Sequence, residues 1–195
     1  MSNKTVSIIM PAHNAAKTIR ESIESVLAQT FTDWELLVIN DTSTDETEQI
    51  VSEFTTNHSR IKLLQTDESV GKPYYPRNVG INSAEGRFIA FLDSDDVWLP
   101  TKLAKQIPLF DAENVAIVFS YYEKFTSTEV ESNRNRILKS PASVSFKSAL
   151  YGNPIGNLTG VYDTMKVGKI FYEDAVLESG ENRHLRVRTI SWTSA

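Results

Sequence analysis

The sequence predicts an α/β fold in which a mostly parallel central sheet is flanked by helices on both faces. Short runs of β-branched and apolar residues, without polar alternation, indicate strands that are buried on both faces. Apolar stripes at helical spacing lie between these runs, so strand and helix alternate along the chain. The 195 residues, 41% hydrophobic and 23% charged, are enough for one compact unit with an ordinary core.

The amino-terminal half contains the clearest elements. Four strands are predicted as short apolar runs, at residues 6–10, 34–39, 61–64 and 87–92. Three helices are predicted between them, over Ile19–Leu27, around Ile50–Phe54 and over residues 78–84. Ser43 and Glu46 have the spacing of a capping box before the second helix.

The carboxyl-terminal half is less regular. We expect a helix over Lys102–Phe110, irregular at Pro108, and a fifth strand over Val115–Tyr121. The polar stretch 123–148 has no clean period and is predicted as a loop. Beyond Gly180, arginines alternate with apolar residues, which favours a strand or an irregular tail.

Composition excludes several classes of function. The formal net charge is −5, so a broad basic surface for nucleic acid is not expected. The absence of cysteine excludes disulfides, thiolate metal sites and cysteine catalysis, and it suits a reducing cytoplasm. The first apolar run ends at Pro11 and is too short for a signal peptide or a membrane span. We therefore expect a cytoplasmic protein.

The strongest candidate site is Asp93-Ser94-Asp95-Asp96, directly after the fourth predicted strand. Carboxylates crowded at a strand end repel one another, and a hard divalent cation such as Mg²⁺ or Mn²⁺ relieves that repulsion. The alternative is a solvated acidic turn that caps the next helix. We favour a metal and diphosphate site, since apolar runs stand on both sides of the cluster.

Polar residues also follow the first two strands, and the carboxyl ends of parallel strands meet at one crevice. Asp41 could accept hydrogen bonds from a nucleobase or ribose, or it could cap the next helix as Ser43 and Asp45 can. Local chemistry alone supports these two roles of Asp41, ligand binding and helix capping, about equally. His13 is more typical of a turn residue, although it could stack on a base, with Asn14 bonded locally.

A loop of residues 71–78, rich in glycine and proline, carries two cations, Lys72 and Arg77. Either could neutralise a diphosphate, and an arginine does so with a bidentate fork. The alternative is an exposed loop with ordinary charges. A position just before a helix start favours anion binding for Arg77 and, less strongly, for Lys72.

Taken in order, these motifs resemble the family 2 glycosyltransferases, which have the GT-A fold with a Rossmann-like sheet. The segments that carry the resemblance are Val6–Asn14, Ser25–Phe31, Trp34–Asp45, Arg77–Ile81 and Gly86–Asp96. Each segment is weakly diagnostic alone. Their order over the first half of the chain is specific to this family.

The resemblance implies a nucleotide-sugar-binding subdomain over 1–110 and an incomplete acceptor-side subdomain over 111–195. Asp41 would read the nucleobase, normally uracil. The wall of the base pocket would be formed by Pro11, Ala12, His13 and Asn14. His13 stands where an aromatic residue is common in the family, and Asn40 replaces a frequent aspartate.

The resemblance implies that Asp93 and Asp95 form the D-x-D pair of the family, which touches the ribose and the metal, with Ser94 between them at the donor. The metal would be held by Asp95, with Asp93 and Asp96 beside it. Arg77 would lie near the diphosphate or the donor sugar.

For the acceptor side, Gly156–Gly160 is similar to the acceptor segment of these enzymes. The family then supplies a Glu-Asp pair whose carboxylate is the catalytic base. The spacing puts Glu178 at that position, with Asp174 and Glu173 as alternatives. Ser179 stands where the second acid is usual, so the chain is expected to be a truncated or altered form.

We therefore predict a metal-dependent glycosyltransferase of the hexosyltransferase type, which uses Mg²⁺ or Mn²⁺. It would move a sugar from a UDP-sugar to a hydroxyl of a saccharide or lipid-linked acceptor, with inversion. A lipid-linked acceptor would bring the protein to the inner face of a membrane. One alternative is a non-catalytic nucleotide-sugar-binding module. A sugar-phosphate nucleotidyltransferase ranks lower, because residues 11–14 are not the glycine-rich phosphate loop that such an enzyme needs.

Overall fold

The computed structural model describes residues 5–67, 74–125, 136–141, 155–172 and 186–190. The strands in these residues are β1 Val6–Ala12, β2 Trp34–Asn40, β3 Ile61–Gln65, β4 Phe88–Phe91, β5 Val97–Trp98, β6 Ile117–Val118, β7 Tyr121–Phe125, β8 Arg136–Leu138, β9 Val161–Asp163 and β10 Arg186–Ile190. The α-helices are α1 Ile19–Leu27, α2 Thr47–Asn57, α3 Tyr74–Ser83, α4 Lys102–Gln106 and α5 Thr164–Val167. Two 3₁₀ helices cover Ile107–Asp111 and Asn157–Thr159.

The main sheet has six strands in the order β3-β2-β1-β4-β9-β6. The four strands β3, β2, β1 and β4 run parallel, whereas β9 is antiparallel to both β4 and β6. This arrangement confirms the predicted α/β class with a mostly parallel sheet. The chain passes from β3 over β2 and β1 to reach β4, so the direction of strand addition reverses between β1 and β4.

Both faces of this sheet are covered, which explains the apolar runs without alternation. Successive strand residues point to opposite faces, so β1 contributes Ile8 to one core and Ile9 to the other. Helices α1 and α2 cover the first face, and α3 covers the second through Ile81. The fully buried apolar strand residues are Val6, Ile8, Ile9, Met10, Leu36, Leu37, Val38, Ile39, Ile89 and Ala90.

A buried carboxylate, that of Glu35, lies at the amino ends of the strands of the main sheet. Its Oε1 accepts hydrogen bonds from the Ser7 hydroxyl at 2.8 Å and from the Glu85 N–H at 2.9 Å. Lys62 Nζ lies 3.2 Å from its Oε2. The Gly86 N–H donates to Ser7 Oγ, and a Cβ on Gly86 would lie 2.6 Å from the Ser7 nitrogen. Glycine is therefore required where this turn approaches β1.

Two helix boundaries differ from the prediction. Helix α3 begins at Tyr74 rather than near residue 78, because Pro76 falls in the first turn, where its missing N–H costs no intrahelical bond. The capping box was wrong: α2 begins at Thr47, and the Ser43 hydroxyl instead accepts a hydrogen bond from the Asn14 N–H at 3.0 Å. The irregularity at Pro108 is confirmed, since α4 gives way to a 3₁₀ helix there.

A second sheet, in the order β5-β10-β7-β8, corrects the prediction for the carboxyl-terminal half. The single strand expected over Val115–Tyr121 is wrong, because β6 joins the main sheet and β7 joins the second one. The loop expected over 123–148 contains the end of β7 and all of β8. Consecutive β7 residues from Tyr121 to Lys124 are all half-buried, so they show no period that could identify a strand. Of the two alternatives expected beyond Gly180, a strand or an irregular tail, Arg186–Ile190 form a strand, β10.

Lys102, in α4, is fully buried. Its Nζ donates to Gln106 Oε1 at 2.7 Å and lies 4.0 Å from the centre of the Trp98 ring. Gln106 Nε2 in turn donates to the Thr159 carbonyl, and Trp98 Nε1 donates to the Leu158 carbonyl. Burial lowers the pKa of Lys102 from 10.5 to about 7, since the charged form loses its hydration.

Folding stability should therefore depend on pH through Lys102. Between about pH 7 and pH 10.5 the unfolded chain binds this proton and the folded chain does not, so the free energy of unfolding rises with pH, by up to about 1.4 kcal/mol per unit. Below pH 7 the cost of burying the ammonium is fully present. We expect Lys102→Met to remove this rise, measured by urea unfolding at pH 7, 8 and 9. Lys105→Met, at an exposed position of the same helix, is the control. Parallel pH profiles for wild type and Lys102→Met would contradict the assignment.

Candidate functional site

The candidate site lies at the carboxyl ends of β1, β2 and β4. The β1–β2 ladder continues past the strands, because the Asp41 N–H donates to the Ala12 carbonyl at 2.8 Å. On the other side of β1, the Leu92 N–H donates to the Ile9 carbonyl at 3.0 Å. Strand order reverses between β1 and β4, and ligands of open α/β sheets bind at such a switch point.

The turns after β1 and β2 form one wall through reciprocal hydrogen bonds. His13 Nδ1 lies 2.6 Å from the Asp41 carbonyl oxygen, which can only accept, so a neutral His13 carries its proton on Nδ1. Asn14 Nδ2 lies 3.2 Å from His13 Nε2, which then accepts. The Thr44 N–H donates to Asn14 Oδ1 at 2.8 Å. The local bonding that we predicted for Asn14 is therefore present, and it holds an exposed His13 ring in place.

Both turns contain a residue in left-handed backbone conformation. The φ angle is 49° at Asn14 and 52° at Thr42. Asparagine tolerates this region, but a β-branched threonine rarely adopts it, so Thr42 is held there by the surrounding structure. Such strain is concentrated at ligand sites in proteins.

Asp41 is the buried acid of this wall, with 8% of its surface exposed. The Thr66 hydroxyl donates to Asp41 Oδ1 at 2.8 Å. Sequence reasoning missed Thr66, although it follows β3, whose end lies beside that of β2. The helix-capping alternative for Asp41 is not what the structure shows, because Asp45 receives the Thr47 N–H at 3.0 Å.

Arg77 and Asp93 meet at the end of β4. Arg77 Nη2 donates to Asp93 Oδ1 at 2.6 Å, and the two side chains are 7% and 28% exposed. Arg77 belongs to α3, and its Cζ atom lies 5.9 Å from the centre of the Tyr172 ring. The two residues that we predicted for the diphosphate are thus in direct contact, in a largely buried ion pair.

In the turn after Asp93, the two acids Asp95 and Asp96 differ in their exposure to solvent. The Asp96 N–H donates to the Asp93 carbonyl at 3.0 Å, and the Ser22 hydroxyl donates to the Ser94 carbonyl at 2.9 Å, which ties the turn to α1. Asp95 is exposed and Asp96 is only 5% exposed.

A metal site is therefore not preformed in the described part of the chain. No three histidine, cysteine, aspartate or glutamate side chains converge there so that they could hold an ion together. Carboxylates nevertheless fit Mg²⁺ or Mn²⁺, which take one or two of them with phosphate oxygens as the remaining ligands. The residues present suit a metal that arrives with a diphosphate.

Several predicted residues lie outside the described residues, namely Lys72, Glu173, Asp174 and Glu178. Of the predicted acceptor segment, Leu158 and Thr159 are buried, and their carbonyls accept from Trp98 and Gln106. No helix in the described ranges is long and apolar enough to cross a membrane.

An open concavity of about 930 Å³ lies beside the wall, between the turn after β1 and the start of α2. Its lining consists of Ala16, Lys17, Thr44, Asp45, Glu46, Glu48, Gln49 and Ser52. None of the predicted donor residues is among them. We place the candidate site at the strand ends because the ion pair and Asp41 lie there.

Comparison with known proteins identifies the family of this chain. The profile described as "Glycosyl transferase family 2" matches residues 7–174. The chain belongs to this family. It is 41% identical over 163 residues to the Escherichia coli protein named UDP-Glc:alpha-D-GlcNAc-diphosphoundecaprenol beta-1,3-glucosyltransferase WfgD, covering 84% of this chain and 62% of WfgD.

Solved structures of Staphylococcus aureus TarS share the fold. The complex of TarS 1–349 with UDP has a TM-score of 0.64 and 25% identity, and the match covers 90% of this chain and 52% of TarS. The complex with UDP-GlcNAc has a TM-score of 0.63 and 25% identity, over 87% of this chain and 48% of TarS. This family 2 chain therefore spans less than two thirds of the length of these relatives.

The Arg77–Asp93 ion pair predicts different effects on folding for substitutions of Asp93 and of Asp95. Asp93→Ala removes the carboxylate that Arg77 contacts in this largely buried ion pair, so we expect a loss of about 3 kcal/mol in the free energy of unfolding. Asp93→Asn keeps an acceptor for Arg77 and should lose less. Asp95→Ala, at an exposed position, should change stability by less than about 1 kcal/mol. Urea unfolding measures all three, and equal stability of Asp93→Ala and wild type would rule out a stabilising pair.

Proposed function

We propose that this family 2 chain is the donor-binding part of a glycosyltransferase that uses a UDP-sugar. In the proposed reaction, a sugar is transferred with inversion to a hydroxyl of a saccharide or lipid-linked acceptor. The observation that carries the proposal is the Arg77–Asp93 pair at the switch point, on the same sheet edge as the buried Asp41.

The relatives support the choice of donor and acceptor. The name of WfgD specifies UDP-glucose as donor and a diphosphoundecaprenol-linked GlcNAc as acceptor. TarS was solved with UDP and with UDP-GlcNAc. We propose the same nucleotide for this chain, and a lipid-linked saccharide would draw it to the inner face of a membrane.

For the nucleobase, we assign the recognition of uracil to Asp41. A carboxylate accepts a hydrogen bond from the imide N–H of uracil, and Thr66 holds the other oxygen of Asp41 in place. The base would lie against Pro11, Ala12, His13 and Asn14. His13 is available for stacking because its ring is already fixed by the Asp41 carbonyl.

For the diphosphate, we assign Arg77 as the cation that binds it, aligned by Asp93. Asp95 would hold a divalent metal, assisted by Asp93 and Asp96. When bound, Mg²⁺ or Mn²⁺ supplies positive charge that stabilises the leaving UDP. The sugar–phosphate oxygen bond breaks with its electron pair going to UDP, and a new bond forms from the acceptor oxygen to the anomeric carbon on the opposite face.

The acceptor proton must pass to a base. We propose Glu178 for this role, with Asp174 and Glu173 as the alternatives. The acid that accepts the proton needs a position on the face opposite the leaving UDP, since inversion requires attack from that side.

Calorimetry on the intact chain tests donor binding. UDP and UDP-glucose should bind, Mn²⁺ should increase their affinity, and GDP should bind at least about tenfold more weakly. Asp95→Ala should abolish the gain from Mn²⁺ without unfolding the chain. Equal affinity for UDP and GDP, or an undiminished Mn²⁺ effect in Asp95→Ala, would contradict the assignments.

Turnover is tested by UDP release from UDP-glucose in the presence of a GlcNAc-diphosphate lipid in detergent. Release that depends on the lipid supports the enzyme, and NMR of the product gives the anomeric configuration. Tight UDP binding without any release would favour the alternative of a non-catalytic binding module.

Asp41→Asn gives a sharper test of base recognition. The amide oxygen can keep the Thr66 bond, but the amide N–H₂ then faces the imide N–H of uracil, donor against donor. UDP affinity should fall roughly 10- to 100-fold, since hydrogen bonds to charged groups contribute about 1.5–3 kcal/mol. CDP affinity should fall less, because cytosine N3 is an acceptor. Asp111→Asn, at an exposed position outside the three strand ends, is the control, and an unchanged UDP to CDP ratio would exclude Asp41 from base recognition.

A further inference from the structure

Asn40 is a buried polar residue at the last position of β2, directly before Asp41. It is 1% exposed and lies on the face of β2 that Leu36 and Val38 fill with apolar side chains. A polar side chain in such a position must satisfy its hydrogen-bonding groups within the protein. The partners of the Asn40 amide therefore indicate its role.

The Asn40 amide has partners on both of its polar atoms. Its Oδ1 accepts a hydrogen bond from the Ser43 N–H at 3.2 Å. Its Nδ2 donates to Gln65 Oε1 at 2.9 Å and to Glu48 Oε2 at 3.3 Å. Gln65 and Glu48 are exposed, whereas Ser43 is half-buried. The bond to Ser43 is therefore the one that water replaces least easily.

The bond between Asn40 and Ser43 closes the turn after β2. It joins an oxygen to the N–H three residues later, as a backbone carbonyl does across a β-turn. The backbone carbonyl of Asn40 is engaged elsewhere, because it accepts from the Thr66 N–H at 3.2 Å. Thr42 lies inside the turn with a φ of 52°, which a β-branched residue rarely adopts. The Asn40 side chain thus replaces the backbone carbonyl and holds Thr42 in left-handed conformation.

The conformation of Thr42 sets the positions of the groups on either side of it. The peptide plane before Thr42 carries the Asp41 carbonyl oxygen, which lies 2.6 Å from His13 Nδ1. The next residue, Ser43, accepts the Asn14 N–H on its hydroxyl oxygen at 3.0 Å. Rotation about φ of Thr42 moves these two groups relative to each other. The two bonds that join the turns after β1 and β2 therefore depend on this one dihedral angle.

We propose that Asn40 is a positioning residue of the nucleobase site. Its side-chain amide holds Thr42 in left-handed conformation and thereby keeps Asp41 and the His13 ring in the arrangement that receives the base. The inference rests on the proposed function and adds a residue that does not touch the donor. Asn40 acts through the turn, whereas Thr66 acts directly on the Asp41 carboxylate.

Asn40→Ala removes the acceptor of the Ser43 N–H. The strained turn is then formed in only a fraction of the molecules, and the apparent affinity of a ligand falls by that fraction. We expect UDP affinity to fall at least about tenfold. GDP affinity should change by less than about threefold, because the Arg77–Asp93 pair lies on the other side of β1 from this turn. Calorimetry with Mn²⁺ should therefore show a lower ratio of UDP to GDP affinity.

Two further substitutions separate the turn from folding. Asn40→Leu fills a similar volume on an apolar face and also lacks the acceptor, so it should lower the UDP to GDP ratio as Asn40→Ala does, even where Asn40→Ala does not fold. Asn40→Asp keeps an acceptor for the Ser43 N–H, and the exposed Gln65 can turn its amide to donate, so UDP affinity should stay within about threefold. Thermal unfolding shows that each variant is folded during the titration.

Asn57→Ala is the matched control. Asn57 is the same residue type at an exposed position, at the far end of α2 from the turn. Its UDP and GDP affinities should match those of the wild-type chain.

Thr42→Gly gives the sharpest test, because glycine adopts positive φ about as readily as negative φ. In the Asn40→Ala background it should raise UDP affinity by at least about threefold. In the wild-type background it should bring no gain, because Asn40 already holds the turn. The effect of Thr42→Gly should thus depend on the residue at position 40.

Each result decides the matter. An Asn40→Ala variant with an unchanged UDP to GDP ratio, or with both affinities lost in parallel, overturns the positioning role and leaves the proposed function standing. Failure of Thr42→Gly to raise the affinity of Asn40→Ala also overturns it, because the loss then does not act through the turn. A wild-type chain that binds UDP no more tightly than GDP overturns the proposed base site, and the positioning role with it.

Discussion

The ion pair between Arg77 and Asp93 is the constraint on which the rest of the site depends. A guanidinium that is only 7% exposed needs an anionic partner, and Asp93 at the end of β4 provides it at 2.6 Å. The pair therefore fixes α3 against the switch point of the sheet. Glycine at position 80 permits this approach, because a Cβ there would lie 2.6 Å from Ile9 Cγ2. The cation proposed for the diphosphate is thus placed before any ligand arrives.

The polar groups at the amino ends and at the carboxyl ends of the strands differ in their burial and their hydrogen bonding. At the amino ends, Glu35 is buried and bonded to Ser7, Glu85 and Lys62, which favours stability and leaves little room for a ligand. At the carboxyl ends, Asn14 and Thr42 adopt left-handed backbone, and Asp95 is exposed to solvent. Among the described residues, left-handed backbone at positions other than glycine occurs only at the carboxyl edge, and such strain is typical of a binding edge.

The sequence predicted the parts of this protein that depend on local pattern. Apolar runs such as 34–39 identified the buried strands, and acids placed directly after them identified the edge where Asp41 and Asp93 lie. Contacts between distant residues were not predictable. The bond from Thr66 to Asp41 depends on the order of the strands. The backbone of Tyr172 is bonded by the side-chain amide of Asn78, which takes the place of a neighbouring strand. The second sheet was missed for a related reason, since the described side chains of β7 and β8 do not alternate between buried and exposed and so do not identify a strand. The capping box failed because Ser43 is recruited by Asn14, from another turn.

A crystal structure of the chain with UDP-glucose and Mn²⁺ would test the account at its core. The account predicts uracil hydrogen-bonded to Asp41 against the turn of His13 and Asn14, the diphosphate beside Arg77, and Mn²⁺ held by Asp95 and phosphate oxygens. Nucleotide bound elsewhere, for example in the concavity at the start of α2, with the Arg77–Asp93 edge empty, would contradict it.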